Sequence, residues 1–473
     1  MASFAELLRK ISKPSQSRRS EAYAFQIGFD FGTSFSKCIY RDLRKTRAFV
    51  FTAGNEKNFL ISSSILFQNG IFSINTGNEQ YPQHGLWHIK MAVNDLYDKN
   101  YNSPSLKLVS SAGKVISGSQ EQSTFVRAAC LFYLSRTLHR IRNGIKRRFP
   151  DFGENQGDCM YVNMAIPVSS MKKSETTQGF QELLERAWRI ADRNEPLSEQ
   201  ASLSEMERLL KNGYRRCDTC HVYPEISANI QAFRISPEAV VDSSNIYLFT
   251  DVGAGTMDQC CLTFTQREAL GARNNYLSAN VFPLGSSAIE RTCQERFGGS
   301  IDAWCKQKEQ TSPSPSMHEA IAVVMRRVTD VTQNTTLREC ERRLYFSLKE
   351  SKIFLVFSGG GGDMLKPYQK GVVDALGKKI RLNDWRDHVI KLSVPSDIEL
   401  PSSCRSWMKR LYVAYGLSFE YENLPRYILV EPPTQLEKSA GTPILPPDEG
   451  DRICPYCKGN NPQCVHCDGF GLI

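Results

Sequence analysis

Ile27-Gly28-Phe29-Asp30-Phe31-Gly32-Thr33-Ser34 reads as a strand that stops at an aspartate and turns on a glycine followed by two hydroxyls. The pattern returns far along the chain, in Phe249-Thr250-Asp251-Val252-Gly253-Ala254-Gly255-Thr256-Met257-Asp258. Glycine in such a turn lets backbone N–H groups approach phosphate oxygens with no Cβ in the way, and threonine adds a hydroxyl donor. An aspartate at the rim suits Mg²⁺, which takes oxygen ligands and keeps several waters. Singly, each turn is also readable as a plain β-hairpin. Two of them facing each other can grip a polyphosphate from both sides.

Around these turns, strands are expected at 26–40 (strand, tight turn, strand), 161–167, 245–250 with 259–264, and 353–357. Helices are expected at 125–149 and over 316–348, the latter joined near Asn334, and 411–418 closes the regular pattern. Strands alternating with helices indicate an α/β protein. The later part of the 125–149 helix collects Arg136, His139, Arg140, Arg142, Lys146, Arg147 and Arg148. Without interleaved aromatics or a docking motif this run reads as a solvated face, and nucleic acid is left unsupported as a partner.

With 473 residues the chain exceeds what one hydrophobic core normally serves, so at least two domains are expected. An apolar share of 41% with 10% aromatics is that of a folded protein rather than a disordered one. The 59 basic residues against 50 acidic ones leave +9, too mild for this length to single out a polyanionic partner. The sequence shows no apolar stretch of about eighteen residues and no leader with a small-residue cleavage site. The expectation is a cytoplasmic protein without a transmembrane segment. The 15 cysteines are an odd number, and Cys38, Cys130, Cys260 and Cys261 lie in apolar runs, as reduced thiols do.

At the two aspartate turns the sequence resembles the actin-like ATPase superfamily, most closely the nucleotide-binding domain of DnaK-type heat-shock chaperones. The first turn looks like that family's phosphate-1 loop, and the second like its phosphate-2 loop with Ala254 replacing one glycine. Further matches follow in the family's order over residues 24–420. Met164-Ala165-Ile166-Pro167-Val168 is similar to the strand before the lobe crossover, and Tyr223-Pro224-Glu225-Ile226-Ser227-Ala228 to the motif whose glutamate orients water. Leu355-Val356-Phe357-Ser358-Gly359-Gly360-Gly361-Gly362 resembles the adenosine loop, and Val413-Ala414-Tyr415-Gly416-Leu417 the helix that ends the core.

The resemblance implies a two-lobed actin-like ATPase fold of duplicated ribonuclease-H-like domains, with lobe I at 21–244 and lobe II at 245–425 closing on Mg²⁺ and ATP. It implies Asp30 and Asp251 near the metal and its waters, with Gly32, Thr33, Ser34, Gly253, Gly255 and Thr256 at the phosphates. Glu225 is then expected to position the attacking water. Gly359, Gly360 and Gly361 are expected to flank the nucleoside, and Gly285, in Pro283-Leu284-Gly285-Ser286, to belong to a further phosphate-side loop. For the lysine that the family places at the γ-phosphate, Lys90 is the candidate, with a plain surface lysine as the other reading.

Asp363 and Met364 follow the adenosine glycines where the family has a small polar residue and arginine, and 301–349 matches it poorly. The chain after 425 is short for the family's peptide-binding domain and lid, so peptide clamping by that route is not expected.

Residues 426–450 are proline-rich and read as a linker. Residues 451–473 follow with Cys454-Pro455-Tyr456-Cys457 and Cys464-Val465-His466-Cys467, two pairs able to close a tetrahedral Zn²⁺ site. Metal would supply the folding energy of so small a knuckle. Its Cys-x-x-Cys-x-Gly character resembles the cysteine-rich repeats of DnaJ-type co-chaperones. Cys217-Asp218-Thr219-Cys220-His221 matches haem attachment by letters alone and reads as chance or a stray thiol pair. Residues 1–20, with Phe4, Leu7, Leu8 and Ile11 at helical spacing, read as an amphipathic arm.

The expected function is an ATP-binding and ATP-hydrolysing molecular switch acting on or within a protein complex, with the knuckle or the N-terminal helix meeting the partner. Rival readings are an actin-like filament former, for which self-association is the signature, a small-molecule kinase, and the ATPase component of a defence system.

Overall fold

The apolar runs around Asp30 and Asp251 become the first strands of two different sheets. The computed structural model describes residues 21–430, apart from 54–58, 77–83, 168–173, 194–195, 214, 241–244, 268–270, 309–312, 345–347, 349–350, 361–364 and 381–387. The amphipathic arm, the linker from 431 on, the four knuckle cysteines and Gly361 therefore lie outside the described residues, while the first residues assigned to the linker, Arg426–Leu429, form a strand instead.

The protein is mixed α/β and divides into two compact units. One takes the chain up to Asn229 together with Val394–Leu424, and the other takes Ile230–Ser393 and the chain from Pro425. The first unit thus takes in 394–424, which the expected division had given to the second lobe, and its cut at 229/230 falls within the helix Glu225–Arg234.

In the first unit, β1 (Ala24–Asp30), β2 (Phe35–Asp42), β3 (Arg47–Val50), β4 (Cys159–Ile166) and β5 (Cys220–Pro224) lie in the order β5-β4-β1-β2-β3. Strand β2 runs antiparallel to both neighbours, while β1, β4 and β5 are parallel. The short strand Ile398–Glu399 continues the sheet beyond β3. In the second unit, β6 (Asn245–Val252), β7 (Met257–Arg267), β8 (Gly271–Phe282), β9 (Lys352–Ser358) and β10 (Val389–Ile390) repeat that order as β10-β9-β6-β7-β8. Strand directions repeat too, with β7 antiparallel and β6, β9 and β10 parallel. A strand that the sequence did not announce, Arg426–Leu429, adds to β8. Strand β6 is buried throughout, and β1 from its second residue on, as central strands covered on both faces must be.

Helix α1 (Ile89–Tyr97), α2 (Gln120–Arg148), α3 (Ser174–Ala191) and α4 (Glu225–Arg234) follow in the chain. Ser119 caps α2 by accepting from the Gln122 N–H, and Lys146, Arg147 and Arg148 in its last turn suit the negative end of the helix dipole. Phe125, Leu138, Ile141 and Ile145 are buried on α2, which packs against α3. The solvated-face reading of its basic run needs correction, because Arg136, His139 and Arg142 are buried. The Arg142 guanidinium pairs with Asp192 and lies 4.4 Å over the Trp188 ring, and Arg136 Nε donates to the Ser198 carbonyl at 3.0 Å. Desolvation pulls both guanidinium pKa values below their usual range. Arg147 and Arg148 do face solvent.

The second unit contributes α5 (Ser287–Phe297), α6 (Pro315–Val331) and α7 (Leu365–Gly377). Helix α6 runs into a π-helical stretch, Thr332–Leu337, containing Asn334, and resumes as Arg338–Arg343. Buried Gln259 of β7 explains the widened turn. Its amide donates to Thr250 Oγ1 (3.2 Å) and Thr332 Oγ1 (3.0 Å), and its carbonyl accepts from Thr332 and Thr336.

The returning segment of the first unit ends in α8 (Tyr412–Leu417), which lies directly on β1. A Cβ at Gly28 would fall 2.1 Å from the Ala414 carbonyl, and one at Gly416 1.8 Å from that of Ala228, so both positions require glycine. Buried Arg41 ties this segment to β2, donating to Asp397 at 2.5 Å and lying 3.9 Å over the Phe419 ring. Among the described residues no helix is long and apolar enough to cross a membrane.

Candidate active site

Register brings the sequence-derived residues of the first unit to one edge of its sheet. Phe29 lies beside Met164 across β1 and β4, and Ile166 beside Pro224 across β4 and β5. The carboxyl ends of three parallel strands therefore bring Asp30, Pro167 and Glu225 to the same edge. In α/β sheets this is the edge where ligands bind.

Asp30 is 1% exposed, its Oδ2 accepts from Lys37 Nζ at 2.6 Å, and its Oδ1 has no hydrogen-bond partner among the described residues. Gly32 makes the tight turn possible, since a Cβ there would lie 2.1 Å from the Phe35 carbonyl. Thr33 and Ser34 complete the turn, whose Ser34 carbonyl accepts from the Ser63 N–H at 2.9 Å.

Glu225 opens α4 immediately after β5, where the positive end of the helix dipole favours a carboxylate. Lys90, in the first turn of α1, reaches it at 2.6 Å and is only 3% exposed. The surface-lysine reading of Lys90 is therefore excluded. His88 just before it has a left-handed backbone, φ 59°, a conformation that costs energy and gathers at functional sites.

In the second unit Asp251 lies beside Ser358 across parallel strands β6 and β9, and Ser358 Oγ donates to Asp251 Oδ1 at 3.0 Å. Gly359 has φ 104°, and a Cβ there would sit 2.4 Å from the Val252 carbonyl and 2.6 Å from Asp251 Oδ1. Only glycine lets that loop pass so close to the carboxylate. The turn after Asp251 closes through the Gly253 N–H to the Thr256 carbonyl at 2.9 Å. The Gly285 loop is laced onto this turn. Gly285 N–H donates to the Gly255 carbonyl (3.4 Å), Ser286 N–H to that of Gly253 (2.9 Å), and Ser287 Oγ to that of Ala254 (2.7 Å). A Cβ at Gly285 would meet the Ala254 carbonyl at 2.4 Å. Gly360 continues the glycine run, and a Cβ there would meet no atom of the described residues within 4 Å.

The structure thus gathers Asp30, Gly32, Thr33, Ser34, Glu225 and Lys90 in the first unit, and Asp251, Gly253, Gly255, Thr256, Gly285 and Gly359 in the second. Two further residues escaped the sequence reading. Lys37 sits directly across the hairpin from Asp30, and Asp258 directly across the equivalent hairpin from Asp251. The signal was present, because in both turns the partner stands seven positions after the first aspartate. Asp251 and Asp258, both buried, share one face of their sheet as opposed neighbours, an arrangement of like charges that is unfavourable unless a cation is near.

No family model matches this chain, and no curated protein does.

Proposed function

We propose that this chain is an ATP-binding and ATP-hydrolysing switch of the actin-like type. The observation that carries the reading is repetition. Two sheets share one strand order, each carries a buried aspartate in the last two residues of its first strand at the carboxyl edge, and each sets a charged residue opposite that aspartate seven positions on. Actin-like ATPases are built on such a duplication, so the topology supports the resemblance carried by the turn sequences.

The residues suit Mg²⁺ and a polyphosphate. Asp30 Oδ1, without a hydrogen-bond partner among the described residues, and the opposed Asp251 and Asp258 are hard oxygen donors, and glycine at 32, 253 and 359 lets these turns fold tightly on neighbouring backbone where a Cβ would intrude. Bound Mg²⁺ would neutralise phosphate charge. Lys37 and Lys90 add fixed positive charge to the carboxylates they hold, and phosphoryl transfer depends mainly on such electrostatic preorganisation and alignment. Lys90 fixes the Glu225 carboxylate through Oε2, which suits that glutamate to orient a water. Nucleotide state would then reach a protein partner, met by the zinc knuckle of Cys454, Cys457, Cys464 and Cys467 or by the N-terminal helix.

The test is Mg²⁺-dependent ATP hydrolysis by the full chain. Asp251→Ala is expected to keep its circular dichroism and lose hydrolysis by about 100-fold or more, in line with loss of one preorganised electrostatic contact. Hydrolysis at the wild-type rate by a folded Asp251→Ala protein would remove this site from the reaction.

A further inference from the structure

Cys217-Asp218-Thr219-Cys220 leads into β5, and its two sulfurs are not scattered by the fold. The Cys220 N–H donates to the Cys217 carbonyl at 3.3 Å, closing a four-residue turn. Such a turn keeps its end Cα atoms within about 7 Å, and disulfides span roughly 4.4–6.8 Å. The side chains point at one another, with the sulfurs 3.7 Å apart and Thr219 Oγ1 3.0 Å from Cys217 Sγ.

The turn is held from outside as well. Glu185 accepts from the Cys217 N–H at 3.1 Å, Gln181 donates to the Cys220 carbonyl at 2.6 Å, and the Val162 N–H of β4 binds the Thr219 carbonyl at 2.8 Å. With the sulfurs 3.7 Å apart and the turn tied from both sides, little ordering cost stands against bond formation.

Cys217 is the accessible member of the pair, and Cys220 is buried behind it. Among the described cysteines Cys159 and Cys217 are half-buried and the rest are buried. Asp218 and His221, chain neighbours of the two cysteines, line a cavity of about 490 Å³ together with Cys159, Arg44, Tyr161 and Tyr421. Burial pushes the Cys220 thiol far above its usual range, leaving Cys217 as the sulfur that an incoming reagent meets first.

We infer that Cys217 and Cys220 form a reversible dithiol–disulfide centre that reacts with low-molecular-weight disulfides such as oxidised glutathione. The Cys217 thiolate attacks one glutathione sulfur, forming a mixed disulfide and expelling the other glutathione as thiolate. Cys220 gives up its proton to that thiolate and attacks Cys217 Sγ, so the protein disulfide forms as the second glutathione leaves. Two protein thiols are oxidised, and one glutathione disulfide is reduced to two thiols. The inference is independent of the ATPase reading.

The full chain is treated with oxidised glutathione, quenched with acid, alkylated with iodoacetamide in denaturant and digested with trypsin. Cleavage after Arg216 and Arg234 isolates both cysteines and no others on one peptide. The expected product lacks both alkyl groups, is lighter than the dithiol by the two thiol hydrogens, and reverts with dithiothreitol. Cys220→Ser is expected to stop at glutathione on Cys217, and Cys217→Ser to leave Cys220 free for alkylation. Double alkylation of the treated wild-type peptide, absence of the trapped adduct in Cys220→Ser, or Cys217 joined to a cysteine elsewhere in the chain would each overturn the inference.

Discussion

Replacing Lys90 by methionine keeps most of the apolar stem and removes the charge that Glu225 faces. Lys90 is 3% exposed and the Glu225 side chain 17%, with 2.6 Å between Nζ and Oε2. Breaking a buried pair by deleting one partner costs about 3–5 kcal/mol, because the remaining charge stays desolvated. The residual access of Glu225 to water places the expected loss near the low end, about 3 kcal/mol, which exceeds 100-fold in the folding equilibrium. Glu225→Gln removes the other charge, and the double variant Lys90→Met with Glu225→Gln leaves neither. The double variant is therefore expected to be destabilised by less than the sum of the singles. Urea unfolding followed by tryptophan fluorescence reads this, since Trp188 is buried in the same unit. A loss under about 1 kcal/mol for Lys90→Met, the range of exposed pairs, with additive singles, would refute the burial argument.

Three further outcomes are expected. Gly285→Ala places a Cβ against backbone at 2.4 and 2.5 Å, so the loop must shift. The variant should lose about 1–3 kcal/mol in urea unfolding and bind Mg-ATP more weakly in calorimetry. Gln259→Leu strips hydrogen bonds from Thr250, Thr332 and Thr336. It should cost about 1–3 kcal/mol and raise amide exchange across 332–337, whereas unchanged exchange there would show that the π turn does not depend on the amide. The full chain should carry about one zinc ion by atomic emission, reduced in Cys454→Ser; metal-free wild-type protein would remove the knuckle.

The parts legible in the sequence were those written locally. The strand ends at Asp30 and Asp251 are marked by glycines and hydroxyls within a few residues, and the strands around them carry unbroken apolar runs. The division of the chain was not local. Ile398–Glu399 is a two-residue strand, too short for any periodicity, yet it and the contacts of Arg41 with Asp397 and Phe419 bring 394–424 back to the first unit. Charge composition likewise misjudged Arg136 and Arg142, whose partners, Ser198 and Asp192 with Trp188, come from positions about fifty or sixty residues away. Lys37 and Asp258 were within reach of the sequence, because hairpin register alone places each across from its aspartate.

Calorimetric titration of the full chain with ATP, with and without Mg²⁺, tests the nucleotide site most directly. Binding is expected in the presence of Mg²⁺, weakened at least tenfold in Asp30→Asn and in Asp251→Asn, each a loss of about 1.4 kcal/mol or more. No heat of binding for the folded wild-type chain, or wild-type affinity in both variants, would contradict the assignment.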